Sequence, residues 1–345
     1  MDKTLFEKPT QGSFSQAQEL HNCEWRWWFG RQYQAVERNA PPDLGTAVHL
    51  GIAEVLRGND PLEAIHQWGD QERTRLEKFD EIAPEAVNDG FDILAEVEMK
   101  APYLVQRWKH WWDQDCGGWT IHMIDGKPAI EYPFQVQTER GIFNFIVDVL
   151  TQDPNGALWV LDWKVRQQFL AVESEESNLQ KGLYQWGLAK LGIQTIGSAI
   201  VQIYPEAPGV PSVNKNGTIS RTKIRTTWDA YRETCLANGQ NPDDYLDQKE
   251  KIEAAGWEWF KMNRVYRTAK MWNAMAEHIL WPTLERGKAI HAGSTPIRAM
   301  SQYRCTNCWA KFPCHESLQG TPLNELTLGY ERRSDRNVNR TGEIG

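Results

Sequence analysis

The sequence has few cysteines, no long apolar run and no excess of positive charge. Six cysteines in 345 residues are too few for a secreted scaffold held together by disulfide bonds. A hydrophobic leader and an apolar segment of about 20 residues are both missing, which argues against secretion and against a membrane-spanning helix. We therefore expect a protein of the reducing cytoplasm, with free thiols and no membrane partner.

The charge balance and the hydrophobic content bound the fold and the partners. A net charge of −8 argues against indiscriminate binding to duplex DNA, because neutralisation of phosphates supplies most nonspecific affinity. With 41% hydrophobic residues, the chain can bury a large core. The order of predicted helices and strands indicates an α/β fold with an N-terminal helical region over 1–114, a sheet over 115–205 and a mostly helical insertion over 206–300. A segment with three cysteines over 301–320 and a polar tail over 321–345, which is expected to be mobile, follow.

A β-hairpin is the clearest local prediction. Two runs rich in β-branched and aromatic residues, 142–150 and 158–165, are joined by the turn sequence Asp153-Pro-Asn-Gly156. Proline fixes one backbone angle of such a turn, and glycine accepts the conformation that closes it. Further strands are predicted over 119–124, 129–137, 196–204 and 218–226.

The hairpin brings charged side chains together. Because side chains alternate along a strand, Asp162 and Lys164 share one face, next to Asp148 on the partner strand. Carboxylates suit hard cations such as Mg²⁺ or Mn²⁺, and a lysine suits a phosphate or an attacking water. A solvated ion pair between the strands explains the same residues. Glu131, on the strand at 129–137, is a candidate for a further metal-facing acid, but an exposed strand glutamate is the favoured interpretation.

Two helical motifs flank the hairpin. A helix predicted over 175–191 places Gln180 and Tyr184 on one face. Upstream, the segment Gly45-Thr-Ala-Val-His49 lies on another predicted helix. The order of these motifs resembles the RecB-like branch of the PD-(D/E)XK nuclease superfamily. That resemblance implies a restriction-endonuclease-like mixed sheet flanked by helices, with an iron-sulfur segment near the C-terminal end of the chain.

The resemblance also implies roles for individual residues. His49, Asp148 and Asp162 become ligands of Mg²⁺ or Mn²⁺, together with the main-chain carbonyl of Trp163. The implied catalytic residues are Asp148, Asp162, Lys164, Gln180 and Tyr184. The sequence departs from the family pattern at Asp162, where glutamate is more common, and at Ile146-Val147, where the family often has glycine.

The cysteines predict a second metal site. Cys305-x2-Cys308-x5-Cys314 provides three thiolates near the C-terminal end of the chain, and a chain that folds back adds Cys23 as a fourth. The spacing alone suits either Zn²⁺ or an iron-sulfur cluster. The arrangement resembles the CRISPR-associated and helicase-nuclease members of the RecB-like branch, which implies a structural 4Fe-4S cluster. The remaining cysteines, Cys116 and Cys235, are interpreted as small buried side chains.

Basic and aromatic residues supply candidate contacts to DNA. A stripe of basic residues recurs every three positions on a predicted helix: Lys261, Arg264, Arg267 and Lys270. A solvated helix face explains the same spacing. The seventeen tryptophans include candidates for stacking on unpaired bases, although most are expected in the core.

These observations lead to two hypotheses. The first is a metal-dependent exonuclease for ends of single-stranded DNA, stabilised by a 4Fe-4S cluster and assisted by a helicase, recombination or adaptation-complex partner, in a phage or CRISPR-associated setting. The second is a catalytically silent subunit that binds DNA or a protein partner and carries a four-cysteine zinc or iron-sulfur site. Divalent metal would support cleavage of DNA in the first case only.

Overall fold

The computed structural model describes residues 10–35, 42–77, 84–306, 308–322 and 330–332. Its centre is a seven-stranded mixed sheet with helices on both faces. The described strands are β1 (Thr10–Ser13), β2 (Tyr33–Ala35), β3 (Thr120–Ile121), β4 (Met123–Ile124), β5 (Lys127–Pro128), β6 (Ile130–Thr138), β7 (Gly141–Gln152), β8 (Leu158–Val165), β9 (Gly197–Ile203), β10 (Phe260–Val265) and β11 (Tyr330–Arg332).

The helices form two layers around this sheet. The described α-helices are α1 (Phe14–Asn22), α2 (Glu24–Gln32), α3 (Leu44–Arg57), α4 (Pro61–Glu77), α5 (Pro84–Asp115), α6 (Val172–Glu176), α7 (Leu179–Lys190), α8 (Trp228–Ala237), α9 (Leu246–Ala255), α10 (Ala269–Met275), α11 (Trp281–His291), α12 (Gln302–Thr306) and α13 (Lys311–Leu318). A 3₁₀ helix over Pro242–Tyr245 and a π-helical segment over Ala276–Leu280 complete the set.

Strand β7 organises the sheet because it pairs along both of its edges. Along one edge, β6 pairs with residues 141–149 of β7, and β3 pairs with residues 151–152. The other edge carries β1 in parallel at residues 141–144 and β8 in antiparallel orientation at residues 149–152. Strand β9 then pairs in parallel with β8, and β10 closes the sheet in antiparallel orientation beside β9. Within the described chain, residues 145–148 of β7 therefore lack a strand partner on that second edge.

Two hydrophobic clusters fill the space between sheet and helices. Val149, Leu161 and Trp163 pack with α3, α4 and α5 on one face. Phe145 and Val160 pack with α7 and α11 on the other face. Burial of aliphatic and aromatic side chains on both faces is the main stabilising contribution to such a fold. The predicted mixed sheet flanked by helices is confirmed.

Local chemistry explains the best-predicted elements. In the turn between β7 and β8, Asp153 accepts hydrogen bonds from the backbone of Asn155 and Ala157, and Gly156 has φ +80°. Helix α3 begins after Asp43, whose carboxylate accepts hydrogen bonds from two backbone N–H groups, and ends at Gly58 in a left-handed conformation. These turn and capping residues can be recognised in the sequence, and they lie at the observed ends of the strands and of α3.

Some expected boundaries were wrong. The sheet recruits β1 and β10 from outside residues 115–205, so the core is not confined to that range. The helix expected over 175–191 is interrupted at Ser177, and Asn178 caps a new helix, α7, by accepting a hydrogen bond from the backbone of Lys181. Residues 218–226 do not form a strand; they contribute one isolated bridge between Val213 and Ile219.

The tail expected to be mobile lies mostly outside the described residues. Its described part, β11, pairs with β2 in a separate two-stranded sheet. None of the helices that the structure describes is both long enough and apolar enough to cross a membrane.

Candidate active site

Two acidic residues lie where strands β7 and β8 separate. The ladder joins Val149–Gln152 to Leu158–Leu161 and stops immediately before Asp148 and Asp162. Beyond this point β8 continues beside β9, so Asp162 keeps a strand partner on one side only. The fork leaves the two carboxyl groups side by side without backbone pairing between them.

Asp162 is held by two lysines. The ammonium groups of Lys164 and Lys181 lie 3.1 Å and 2.8 Å from the same oxygen, Oδ1 of Asp162. Burial by itself raises the pKa of Asp162, but the charge of Lys181, the hydrogen bond from Asp148 and the charge of Lys164 outweigh it and lower that pKa. Burial raises the pKa of Asp148, and the negative charge of Asp162 adds to this effect. A proton in this pair therefore resides on Asp148.

His49 reaches the same place from α3. Its Nε2–H donates a hydrogen bond to the main-chain carbonyl of Trp163 at 2.6 Å, and its Nδ1 lies 3.8 Å from Oδ2 of Asp148. Burial lowers the pKa of His49, which favours the neutral ring. A neutral imidazole with one lone pair beside a carboxyl group is suited to binding a metal ion.

Gln180 and Tyr184 complete the predicted set from α7. The amide of Gln180 donates a hydrogen bond to the Tyr184 hydroxyl at 2.9 Å. Burial raises the pKa of Tyr184 to about 12, so its hydroxyl keeps its proton. The ammonium of Lys181, which lies 2.8 Å from Oδ1 of Asp162, is 5.2 Å from the centre of the Tyr184 ring, so the tyrosine lies close to the acidic pair. The structure thus brings together every residue that was predicted for catalysis or for the divalent metal.

Two further residues lie at the site: Lys181, which was not predicted, and Glu131, for which a metal-facing role was the less favoured interpretation. Lys181 lies between the motif residues Gln180 and Tyr184, and its side chain is fully buried against Asp162. The signal for it is a lysine in an otherwise apolar and glycine-containing helical segment. The side chain of Glu131 is solvent-accessible, as expected, yet desolvation and the negative charge of Asp162 raise its pKa. Glu131 is therefore a third acid close to the pair.

Glu131 also has an unusual backbone. Its φ of +48° lies in the left-handed region, which glutamate rarely occupies. The ladder between β6 and β7 pairs Ile130 with Val149 and Tyr132 with Val147, so Glu131 and Asp148 are skipped together. The irregularity turns both side chains away from the regular alternation of the sheet and places them at the fork.

Comparison with known proteins assigns the family. The model of the PD-(D/E)XK nuclease superfamily matches residues 11–315. The chain belongs to the PD-(D/E)XK nuclease superfamily. Nothing among the curated proteins matches the sequence. A solved structure described as "Crystal structure of SSO0001" aligns over 68% of this chain and 77% of that chain, with 10% identity and a TM-score of 0.25, too low to bear on function.

Nucleases of the PD-(D/E)XK superfamily use divalent metal ions such as Mg²⁺ or Mn²⁺, and the residues at the fork fit such an ion. Oδ2 of Asp148 and Oδ2 of Asp162 are buried and have no hydrogen-bond partner. Two buried carboxylate oxygens without partners are unfavourable unless a cation or a proton satisfies them. Across the described residues, no three His, Cys, Asp or Glu side chains already stand in a metal-binding arrangement, and the His49 Nδ1, which carries the lone pair, lies 3.8 Å from Oδ2 of Asp148.

The four cysteines predicted to act as ligands line one small cavity. Cys23, at the junction of α1 and α2, faces Cys305, Cys308 and Cys314 from the α12–α13 segment. Burial raises the pKa of the Cys314 thiol, and a hydrogen bond from Arg298 opposes that shift. Thiols around one cavity fit a thiophilic metal in the type of their donors.

Polar contacts fix the two chain segments around this cavity. Glu24, next to Cys23, accepts hydrogen bonds from the Arg286 guanidinium at 2.8 and 2.9 Å and from the backbone N–H of Ile297 at 2.7 Å. The backbone N–H of Trp25 donates to the carbonyl of Ile297 at 3.1 Å. From the cysteine segment itself, the Arg304 guanidinium donates to the carbonyl of Asn22 at 3.0 Å, so the first helices and this segment are joined without any metal. Cys116 and Cys235 are buried elsewhere, as their interpretation as packed side chains requires.

The basic stripe expected on a helix does not exist as such. Residues 260–265 form the edge strand β10, because pairing with β9 outweighs the helical spacing of the lysines and arginines. Lys261 and Arg264 therefore point to opposite faces, and Lys270 is exposed on α10. Arg267 is buried; its guanidinium donates to Gln185, Ser198 and backbone carbonyls, which withdraws it from any DNA surface.

The tryptophans confirm the expectation of a core role. Trp108 and Trp112 are buried and stacked on each other, and Trp163 packs edge-on against Trp108. Trp25 is buried beside the cysteine cavity, and Trp27 is buried against Leu20 and Ile290.

The backbone of Glu131 gives a testable separation of stability from activity. Glu131→Gly relieves the left-handed strain, and we expect it to raise the free energy of unfolding by about 1 kcal/mol in urea denaturation. The same change removes a carboxylate beside Asp148, so DNA cleavage should fall. Asp125→Gly is the matched control: Asp125 has φ +49° in the turn between β4 and β5, and its replacement should leave cleavage unchanged. Equal cleavage by both variants would remove Glu131 from the site.

Proposed function

We propose that this protein is a Mg²⁺- or Mn²⁺-dependent exonuclease that acts on the ends of single-stranded DNA and carries a structural 4Fe-4S cluster on Cys23, Cys305, Cys308 and Cys314. The observation that carries the proposal is the pair of unpartnered carboxylate oxygens on Asp148 and Asp162, beside the neutral His49 and the partly exposed Lys164. The preference for single strands and for ends rests on the resemblance to the RecB-like branch. Free thiols suit the reducing cytoplasm.

The residues at the fork divide the chemical work. Asp148, Asp162 and His49 would hold a divalent ion, which when bound would lower the pKa of a water molecule and neutralise charge on the scissile phosphate. Asp162 is ionised and fixed, so it can hold a cation without prior loss of a proton. The Lys164 side chain is 32% exposed, so its ammonium can turn from Asp162 toward a phosphate or an attacking water. Gln180 orients the Tyr184 hydroxyl at the edge of the site by donating a hydrogen bond to it.

DNA needs a positive path across an acidic protein. Lys261, Arg264 and Lys270 remain candidates for contacts to phosphates, although they no longer form a single stripe. Such local contacts agree with the preference for a single strand, which carries a lower charge density than a duplex. A helicase or recombination protein that supplies unwound ends is the partner class that this substrate calls for.

The test combines metal analysis with a cleavage assay. Protein purified without oxygen should show a broad visible absorption and close to four iron atoms per chain if a 4Fe-4S cluster is present. With Mn²⁺, it should degrade end-labelled linear single strands and leave circular single strands intact. Cutting of circles would contradict exonuclease activity, and zinc instead of iron would contradict the cluster. DNA binding without cleavage under any divalent metal would favour the silent-subunit hypothesis.

A further inference from the structure

The buried lysine of α7 has an unusual position for a charged group. Lys181 is 0% exposed, and its ammonium lies 2.8 Å from Oδ1 of Asp162 and 5.2 Å from the centre of the Tyr184 ring. Residues 181–188 of α7 are all buried against the sheet, so the helix cannot turn to release this side chain. A buried ammonium is unfavourable unless a negative charge compensates for it, and Asp162 provides that charge.

The oxygens of the acidic pair show how much room remains for metal. Oδ1 of Asp162 contacts both Lys164 and Lys181, whereas Oδ2 of Asp162 and Oδ2 of Asp148 have no partner. A site for two divalent ions, which lie roughly 3.5–4 Å apart, generally shares a carboxylate that offers one oxygen to each ion. Here only one oxygen of Asp162 is open, because the other is already occupied by cationic groups.

The charges at the fork also oppose the binding of a second divalent ion. Once a cation has replaced the proton on Asp148, two carboxylates face two ammonium groups, and Lys164 is able to leave because it is partly exposed. Lys181 is not able to leave. A second divalent ion bound on the Oδ1 side of Asp162 would lie against this permanent positive charge, which opposes its binding.

We propose that the ammonium of Lys181 takes the place of a second metal ion, so that the site binds a single divalent cation between Asp148 and Asp162. Lys181 is then a positioning residue: it acts through Asp162 and does not touch the DNA. The inference rests on the proposed metal-dependent nuclease and adds a statement about its metal stoichiometry. If Lys181 only neutralised Asp162 for folding, its removal would change stability and leave the number of bound ions unchanged.

The experiment counts ions directly. Full-length protein, with its cysteine site loaded, is titrated with Mn²⁺ while the electron paramagnetic resonance signal of free Mn²⁺ is recorded. A variant with both Asp148→Asn and Asp162→Asn is titrated in parallel, and its bound Mn²⁺ is subtracted to remove ions held elsewhere. We expect one Mn²⁺ at the fork in the natural protein, one in Lys181→Arg and two in Lys181→Met.

The results separate this inference from the proposed function. Two ions at the fork in the natural protein, together with DNA cleavage, would overturn the role of Lys181 and leave the nuclease proposal standing. One ion in folded Lys181→Met would also overturn it. No bound ion and no cleavage in the natural protein would overturn both proposals. Circular dichroism verifies that each variant folds. If Lys181→Met does not fold, one bound ion in both the natural protein and Lys181→Arg supports the inference, and two ions in either overturns it.

Discussion

Lys164→Ala is expected to lower Mn²⁺-dependent DNA cleavage by about 10²- to 10³-fold, because it removes a positive charge that stabilises the reacting phosphate. Asp162→Asn should reduce cleavage further, since it also removes a metal ligand and leaves Lys181 buried without a negative partner. Initial rates on end-labelled single strands measure both effects. The fold should persist in Lys164→Ala because the lysine ammonium is partly exposed.

Lys249→Ala is the matched control for this measurement. Lys249 lies on α9 and is 3.8 Å from Glu253, with a side chain that is similarly accessible to solvent. Its removal changes the net charge by the same amount as Lys164→Ala, so any general effect of charge on DNA binding is shared. Cleavage by Lys164→Ala at the rate of Lys249→Ala would refute the catalytic assignment.

Among the single substitutions proposed for this protein, Cys305→Ser should lower the free energy of unfolding the most. If the four thiolates bind a 4Fe-4S cluster, removal of one ligand should release iron and lower the free energy of unfolding by at least about 4 kcal/mol. Removal of iron from the natural protein with a chelator should have the same effect. Iron content and thermal denaturation, both measured without oxygen, check the expectation.

Cys116→Ala serves as the comparison, since Cys116 is buried in the main core and far from the cavity. It should keep its iron and lose only about 1 kcal/mol, which is the scale of a small cavity. Cleavage should persist in Cys305→Ser at low temperature, where the fold survives, because the fork is built from other elements. Full iron content in Cys305→Ser would exclude this residue as a ligand.

The hairpin could be predicted because its information is local. The β-branched and aromatic residues of 142–150 and 158–165, together with Asp153 and Gly156, indicate both the strands and the turn. The contact between Asp162 and Lys164 follows from the alternation of side chains along a strand. In contrast, His49 contacts the Trp163 carbonyl across 114 residues of sequence, and only the resemblance to a family suggested that proximity.

The failures have a common physical cause. Lys261 and Arg264 were assigned to a helix from their spacing, but the backbone of 260–265 is decided by hydrogen bonds to β9, which the local sequence does not contain. The skipped pair Glu131 and Asp148 depends likewise on the register between β6 and β7. Lys181 was not predicted as a site residue because a lysine on a helix is usually at the surface. Its burial results from the packing of α7 on the sheet.

The contact between α2 and residue 297 has a consequence for synthesis. Trp25 and Phe29 emerge from the ribosome long before Ala310, which covers them in the finished protein. Until then these aromatic side chains form an exposed hydrophobic surface on the nascent polypeptide, and chaperones bind surfaces of this kind. A chain that stops at residue 296 would keep that surface bare, and we expect it to aggregate even though every residue of the fork has been made.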